Sequence, residues 1–157
     1  MARYAKVVRS CILEADADRV WEEVNRPRLL IYVAKPLVHF RLPKTLDPET
    51  AWPDGEHKVT MSAFGVLPIG WQIVRIERPA PTERVRYLLD RGEGSIAVVW
   101  HHKISVESLP DPRTRYSDDV AVGAGWMTPL VWAFANILFW HRQRRLVRLA
   151  AQGFTFR

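Results

Sequence analysis

The stretch that decides the fold is PLVWAFANILFWHRQRRLVRLAA, residues 129–151. It predicts one long helix, which is the last of the predicted elements. Thr128 followed by Pro129 is typical of a helix start, with a capping residue before a proline at the first helical position. At 100° per residue, the second half has a polar arc and an opposite apolar arc. The polar arc carries His141, Arg144, Arg145 and Arg148. The apolar arc carries Trp132, Ala135, Phe139, Leu146 and Ala150, bordered by Asn136 and Gln143.

The outward arc in the first half of this helix is apolar as well. It carries Leu130, Phe134 and Ile137. An apolar stripe that stays uncovered usually marks a contact with a partner. The sequence therefore predicts a homodimer through this face, unless loops or the short helices cover it.

Residues 120–140 contain no charge and precede a basic segment, which resembles a membrane span with its flank. Gly123, Gly125 and Pro129 interrupt this run, and its first part alternates like a strand. About a dozen apolar residues are left for the helix, too few to cross a hydrocarbon core of roughly 30 Å. The first residues contain no apolar run that is typical of a signal peptide. We therefore expect a cytoplasmic protein.

Upstream of the long helix the sequence predicts seven strands and two short helices. The first strand covers residues 3–13, and the short helices begin at Ala17, after the capping residue Asp16, and at Pro27. Further extended segments cover residues 37–42, 56–64, 69–78, 83–91, 96–106 and 114–124, with a loop over 43–54. Short turns between consecutive strands favour an antiparallel meander.

The length and composition fit a single globular domain over residues 1–157. Hydrophobic residues make up 48% and charged residues 25% of the chain, which excludes collagen-like and disordered classes. The single cysteine, Cys11, excludes a disulfide framework and a zinc site built from several thiolates. Dinucleotide-binding and P-loop motifs are absent from the sequence. We therefore expect neither a cofactor nor a metal.

The net charge of +6 is concentrated at the C-terminal end. Arg142, Arg144, Arg145, Arg148 and Arg157 lie there without an acidic residue among them. They form either a solvated helix end, where cations favour the helix dipole, or a contact with an anionic surface through Arg142, Arg144, Arg145 and Arg148. Because the cluster is confined to one helix end instead of following a face, we expect no nucleic acid partner.

Five short segments carry a resemblance to a known family: DRVWEEV at 18–24, WHHKI at 100–104, TRYSDDV at 114–120, GAG at 123–125 and HRQRR at 141–145. In this order, along nearly the whole chain, they resemble the START/Bet v 1-like (SRPBCC) superfamily, specifically its bacterial polyketide cyclase-like and ligand-binding members. The resemblance implies an α+β helix-grip fold. In this fold a seven-stranded antiparallel sheet wraps around the long C-terminal helix, and two short helices lie between strands 1 and 2. It also implies a cavity for a hydrophobic small molecule, without specifying a reaction.

Side-chain alternation along the strands predicts which residues line this cavity. The inward set on the strands and the helix is rich in aromatic rings, which suits a pocket but equally suits a filled core. The predicted ligand-binding residues are Val59, Met61, Tyr87, Trp100, His102, Tyr116, Trp132, Asn136 and Phe139.

His102 and Asp118 are the predicted catalytic candidates. If Leu109, Pro110 and Asp111 form a three-residue hairpin loop, His102 lies directly opposite Asp118, and both side chains point inward. A carboxylate would hold the imidazole in one tautomer, as a general base requires. The alternative is a structural ionic pair that satisfies two buried groups. A register slip of two residues would place Val120 opposite His102 and remove the pair.

The sequence thus predicts reversible binding of a hydrophobic small molecule, such as a polyketide-like compound, a lipid or a quinone. One alternative is a cyclase or lyase that uses acid–base residues in the same cavity. A second alternative is a module that binds anionic surfaces through the arginine-rich helix end.

Overall fold

Seven strands and three α-helices alternate along residues 4–156, the part of the chain that the computed structural model describes. The strands are β1 (Ala5–Leu13), β2 (Val38–Arg41), β3 (Gly55–Ala63), β4 (Leu67–Glu77), β5 (Val85–Gly94), β6 (Val99–Ser108) and β7 (Thr114–Gly123). The helices are α1 (Ala17–Val24), α2 (Pro27–Ala34) and α3 (Thr128–Ala151), and a 3-10 turn over Gly125–Met127 precedes α3. Arg3 of the predicted first strand and Arg157 of the basic cluster lie outside the described residues.

The two short helices begin where their capping residues predict. The Asp16 carboxylate accepts a hydrogen bond from the Arg19 backbone N–H at 3.0 Å and so satisfies one of the free donors at the start of α1. Pro27 occupies the first turn of α2, where its missing N–H costs nothing. Both helices bury an apolar side against the main core, through residues such as Val20, Val24, Leu29 and Val33.

The strands form one antiparallel sheet in the order β1-β7-β6-β5-β4-β3-β2. The sheet curls around α3, which confirms the predicted helix-grip fold. Hydrogen bonds also join α3 to β1, because Gln143 Nε2 donates to the Arg9 carbonyl and Trp132 Nε1 to the Lys6 carbonyl, each at 2.9 Å. The concave side of the sheet, the inner side of α3 and the two short helices enclose the space in which the polar groups described below lie.

The predicted register between β6 and β7 is wrong by two residues. Ser108 pairs with Thr114, so the connecting loop contains five residues, 109–113, and His102 lies opposite Val120. The three-residue loop would pair Pro112 with Ser108, but proline has no N–H to donate to a strand ladder. The longer loop closes instead with a hydrogen bond from the Leu109 N–H to the Arg113 carbonyl at 3.2 Å.

The predicted inward orientation of Tyr87 is also wrong. Leu88 and Asp90 of β5 face the interior, so Tyr87 lies on the outer face, where the Lys103 ammonium is 5.8 Å from its ring centre. Tyr87, Leu88 and Leu89 are three successive residues with largely apolar side chains. Alternation therefore does not distinguish the inner from the outer face of β5 at this point. Pairing with β6 decides the orientation, since Leu88 lies opposite the buried Ile104.

Candidate functional site

An apolar cleft of about 350 Å³, the outer cleft, opens between the first half of α3 and strands β2, β3 and β4. The loop between β5 and β6 forms its remaining wall, through Ile96 and Ala97. Among the described residues that line it, none has a charged side chain, and Gln72 supplies the only side-chain amide. The apolar lining residues are Val38, Phe40, Met61, Ala63, Ile69, Ile96, Ala97, Trp100, Met127, Leu130, Val131, Phe134 and Leu138. The walls of this cleft suit an apolar molecule.

A smaller space of about 80 Å³, the inner cavity, lies deeper between the sheet and α3. It shares Phe40, Gln72, Trp100 and Leu138 with the outer cleft, so these four side chains separate the two spaces. Its lining is far more polar than that of the outer cleft. The polar lining residues are Gln72, Asp90, His102, Tyr116, Asp118, Arg142 and Gln143.

The Asp118 carboxylate is the centre of the polar groups around the inner cavity. It accepts hydrogen bonds from His102 Nε2 at 2.6 Å, from the Tyr116 hydroxyl at 2.9 Å and from Gln143 Nε2 at 2.9 Å. These donors come from β6, β7 and α3. An ionised carboxylate accepts such bonds with both oxygens, and Asp118 is therefore satisfied although it is almost fully buried.

Burial determines the charge states of this network. Burial lowers the pKa of the His102 imidazole, although the Asp118 hydrogen bond opposes the effect, so the ring is neutral near pH 7. Burial alone would raise the pKa of Asp118, but the hydrogen bond from His102, the charge of Arg142 and the bond from Gln143 together lower it. In the neutral ring, Nε2 carries the proton that is donated to Asp118, and Nδ1 is left as an acceptor.

Tyr116 and Cys11 stay protonated beside this network. Burial, together with the nearby Asp118 charge, raises the pKa of the Tyr116 hydroxyl well above its ordinary value. Burial raises the pKa of the Cys11 thiol to about 12. Cys11 is therefore not a nucleophile near neutral pH, as expected for a small apolar residue in a strand.

Asp90 lies in the inner cavity next to His102, directly opposite it in the β5–β6 pair. The β4–β5 pairing is interrupted between the Ile73–Glu93 and Ile76–Asp90 pairs, and there the Asp90 carboxylate accepts the Arg75 backbone N–H at 2.8 Å. Burial raises the pKa of Asp90 to about 7, against the lowering effects of that bond and of the Arg142 and Arg75 charges. Asp90 therefore titrates near neutral pH.

Arg142 is buried, which corrects its predicted place in an exposed anionic-surface contact. Only 8% of the residue is exposed, and its guanidinium carbon lies 4.6 Å from the centre of the Phe139 ring. The buried arc of α3 is wide enough to include Leu138 and Arg142 besides Phe139 and Gln143. Of the other arginines in the predicted cluster, Arg144 and Arg148 are exposed, and Arg145 donates to the Tyr32 carbonyl at 3.1 Å.

Of the nine predicted ligand-binding residues, four line one or both of the two spaces. Met61 lines the outer cleft, His102 and Tyr116 line the inner cavity, and Trp100 lines both. Phe139 is buried between these rings, with ring centres 5.9 Å from Trp100 and 4.9 Å from His102.

The remaining members of that predicted set do not line either space. Val59 is part of the packed core, and Tyr87 lies on the outer face as described above. Trp132 is 42% exposed beside β1, so the inward orientation predicted for it is wrong. The Asn136 side chain donates to the Trp132 carbonyl at 2.8 Å. Trp132 turns toward β1 because its indole N–H donates to the Lys6 carbonyl, a bond that helical projection of an apolar side chain does not include.

Sequence reasoning did not select Gln72, Asp90, Leu138 and Arg142 as lining residues. Two of these residues, Asp90 and Arg142, are charged. Charged residues at inward positions are rare, so hydrophobic patterning assigns both to the outside. The helical projection puts Gln143 at the border of the apolar arc, and this position is the sequence signal for its burial. Among residues 4–156, no group of three or more His, Cys, Asp or Glu side chains could hold a metal ion. The described part of the chain also contains no helix that is long and apolar enough to cross a membrane.

A family model described as a domain of unknown function (DUF8410) matches residues 11–150. No curated protein sequence matches the chain.

Solved structures share the fold at low sequence identity. An aromatase/cyclase, Zhui, from Streptomyces sp. R1128 is similar at 12% identity with a TM-score of 0.68, covering 96% of this chain and 95% of that one. A START superfamily protein from Mycobacterium smegmatis is similar at 12% identity with a TM-score of 0.62, covering 94% and 97%. Norcoclaurine synthase from Thalictrum flavum, in complex with dopamine and hydroxybenzaldehyde, is similar at 8% identity with a TM-score of 0.61, covering 99% and 91%. These likenesses confirm the START/Bet v 1-like fold.

Proposed function

Since the chain belongs to the DUF8410 family and has the START/Bet v 1-like fold, we propose that it reversibly binds a hydrophobic small molecule in the outer cleft. The classes of ligand that fit are polyketide-like compounds, lipids and quinones. The fold alone specifies none of them, because it supports several functions.

The lining of the outer cleft is the observation that carries this proposal. Its volume of about 350 Å³ is within the range of small-molecule sites, and its walls are almost entirely apolar. Leu130 and Phe134 remain 66% and 40% exposed on one side of the opening. An apolar ligand would remove this surface from water, which provides the driving force for binding.

Structures with the same fold give indirect support. The Zhui protein is named as an aromatase/cyclase, and the norcoclaurine synthase structure holds two small aromatic compounds. In this chain Trp100 lines both the outer cleft and the inner cavity, and its ring stacks on the buried Phe139 with ring centres 5.9 Å apart. A flat apolar ring system would therefore meet the Trp100 ring where the two spaces adjoin.

The test is displacement of an environment-sensitive fluorescent dye by 1-decanol, in the wild type and two helix variants. Phe134→Gln places an amide in the cleft, whereas Ile137→Gln changes an exposed residue of the same helix that does not line it. We expect Phe134→Gln to weaken dye and decanol binding about tenfold, the loss of about 1.4 kcal/mol of apolar contact. Ile137→Gln should bind like the wild type. Equal binding by the three proteins, or no saturable binding by the wild type, would contradict the proposal.

A second candidate function is acid–base catalysis by His102 in the inner cavity, which adjoins the outer cleft. His102 lines the inner cavity, donates Nε2–H to Asp118 and is neutral near pH 7. Its Nδ1 accepts no hydrogen bond from the residues that the structure describes, and it is not among the atoms sealed from solvent. A neutral imidazole oriented by a carboxylate is the arrangement of a general base, and a cyclase or lyase is the corresponding activity.

His102→Gln distinguishes catalysis from a structural role. If His102 is a base, the variant keeps its stability and its decanol affinity and loses turnover of a ketone or polyketide-like substrate. If the pair is structural, the variant loses stability, and its ligand affinity is unchanged. Undiminished turnover in a folded His102→Gln protein would exclude His102 as the base.

A further inference from the structure

Arg142 differs from every other buried charged residue between residues 4 and 156. Glu23 is held by three arginines, Asp118 accepts three hydrogen bonds, and Asp90, which is only partly buried, accepts a backbone N–H. Arg142 is 8% exposed, yet within the described chain it forms neither an ion pair nor a hydrogen bond. Its contact with the face of the Phe139 ring satisfies no N–H.

This isolation is costly for the folded protein. Buried donors are almost always paired, and a buried charge without a partner costs more than an uncharged donor does. Between residues 4 and 156, the Nε atom of Arg142 is one of two buried side-chain polar atoms that lack a hydrogen-bond partner. Since Arg142 lines the inner cavity, a ligand group that enters this space meets unused guanidinium donors.

The chemistry of the guanidinium restricts which group this is. Its planar N–H fork matches the two oxygens of a carboxylate, and such charge-assisted pairs are about twice as strong as neutral hydrogen bonds. The inner cavity of about 80 Å³ has room for a small head group but not for a whole ligand. The adjoining outer cleft is apolar and uncharged, so it accommodates the rest of the molecule.

We propose that the ligand is a hydrophobic carboxylic acid, with its carboxylate on Arg142 in the inner cavity and its apolar body in the outer cleft. This assignment rests on the proposed function and adds the polar end of the ligand to it. Phe40, Gln72, Trp100 and Leu138 lie where the molecule passes from one space to the other. The Gln72 amide is the polar side chain that meets the ligand at this passage.

The neighbouring charges leave Arg142 available for an anion. The Asp118 carboxylate is occupied by His102, Tyr116 and Gln143, and no oxygen of Asp118 is within ion-pair distance of Arg142. His102 is neutral near pH 7, and Asp90, with its pKa raised to about 7 by burial, is partly uncharged there. The arriving carboxylate therefore faces one fully formed negative charge, at Asp118, and the positive charge of Arg142.

The experiment compares decanoate with 1-decanol, which have the same tail and different head groups, by titration calorimetry at pH 7. Wild-type protein should bind decanoate about tenfold or more tightly than decanol, as expected for a charge-assisted pair. Arg142→Met should abolish this preference and keep decanol binding, because methionine fills similar space without a charge. Arg144→Met removes an exposed arginine of the same helix and should leave the preference unchanged.

A second measurement uses the wild type alone and thus does not depend on the folding of a variant. The ¹⁵Nε–¹H NMR signal of Arg142 should shift on addition of decanoate and not on addition of decanol. Equal affinity for both compounds, an unshifted Arg142 signal, or a preference that persists in Arg142→Met would overturn the carboxylate assignment and leave the apolar site intact. Failure of both compounds to bind the wild type would contradict the proposed function itself.

Discussion

His102 Nε2 lies 2.6 Å from Asp118 Oδ1, although the two residues are not opposite each other in the sheet. Val120 is the partner of His102, and Ile104 is the partner of Asp118, so the contact runs diagonally across the β6–β7 pair. Diagonal neighbours on one face are within reach of long side chains. Since Gln143 of α3 donates to the same carboxylate, this contact joins the sheet to the helix that it surrounds.

Asp118→Ala should destabilise the protein strongly. The substitution leaves the His102, Tyr116 and Gln143 donors unpaired in a buried space, and we expect a loss of about 3–5 kcal/mol in the free energy of unfolding. Urea unfolding measures this loss. The control is Asp119→Ala, which removes the partly exposed ion pair with Lys6 and should cost less than about 1 kcal/mol. Similar losses for both variants would show that the network contributes no more than a surface pair.

Asp90→Asn should change how stability depends on pH. In wild-type protein the pKa of Asp90 is raised from 3.8 to about 7, so the folded state binds a proton that the unfolded state has already released. Asp90 therefore lowers stability progressively as pH rises from about 4 to about 7, by at most about 1.4 kcal/mol per pH unit. Asparagine still accepts the Arg75 N–H and carries no charge.

The difference in unfolding free energy between Asp90→Asn and wild type, measured in urea, should increasingly favour the variant from pH 4 to pH 7 and then level off. The lowered pKa of His102 makes stability rise with pH in part of this range, but it is common to both proteins and cancels in the difference. A difference that does not change with pH would refute the burial of an ionisable Asp90.

Glu23→Gln should destabilise the end of the fold where α1 and α2 meet. The fully buried Glu23 carboxylate is paired with Arg19, Arg26 and Arg28, and removal of its charge leaves the three guanidinium groups without their common partner. We expect a loss of about 3–5 kcal/mol. Glu22→Gln, on the exposed side of the same turn, should cost less than about 1 kcal/mol.

The effect of Glu23 should also depend on pH. Burial opposes ionisation of Glu23, but the Arg28 and Arg19 hydrogen bonds and charges lower its pKa below the ordinary value of 4.5. Its contribution is therefore complete above about pH 4.5 and is lost as the pH falls through the lowered pKa. Stability differences between Glu23→Gln and wild type that grow below pH 4 would be inconsistent with this assignment.

Self-association through the first half of α3 stays a prediction. Leu130, Phe134 and Ile137 are exposed, as the helical projection indicated, but Leu130 and Phe134 also line the outer cleft. If the stripe is a dimer contact, sedimentation equilibrium at tens of micromolar should give twice the chain mass of 18.2 kDa, and Ile137→Glu should restore the monomer. A monomeric wild-type protein at this concentration would exclude a dimer through this stripe.

The sequence predicts the elements better than it predicts the positions of the polar groups. The caps at Asp16 and Pro27 act locally, so the starts of α1 and α2 follow from the nearby chain. The β6–β7 register depended on a loop in which Pro112 excludes the expected pairing, and the His102–Asp118 contact formed diagonally in spite of the slip. The burial of Arg142 could not be predicted, because it depends on how the sheet curves around α3 and on the space beside Phe139.

The most direct test of the central claim, binding of a hydrophobic molecule in the outer cleft, is NMR of methyl-¹³C-methionine. The chain has 3 methionines, and two of them, Met61 and Met127, line the cleft on β3 and on the turn before α3. Single Met61→Leu and Met127→Leu variants assign the two signals. On titration with 1-decanol, both signals should shift along one common saturation curve. Decanol binding that displaces the dye and leaves both signals unmoved would contradict the account.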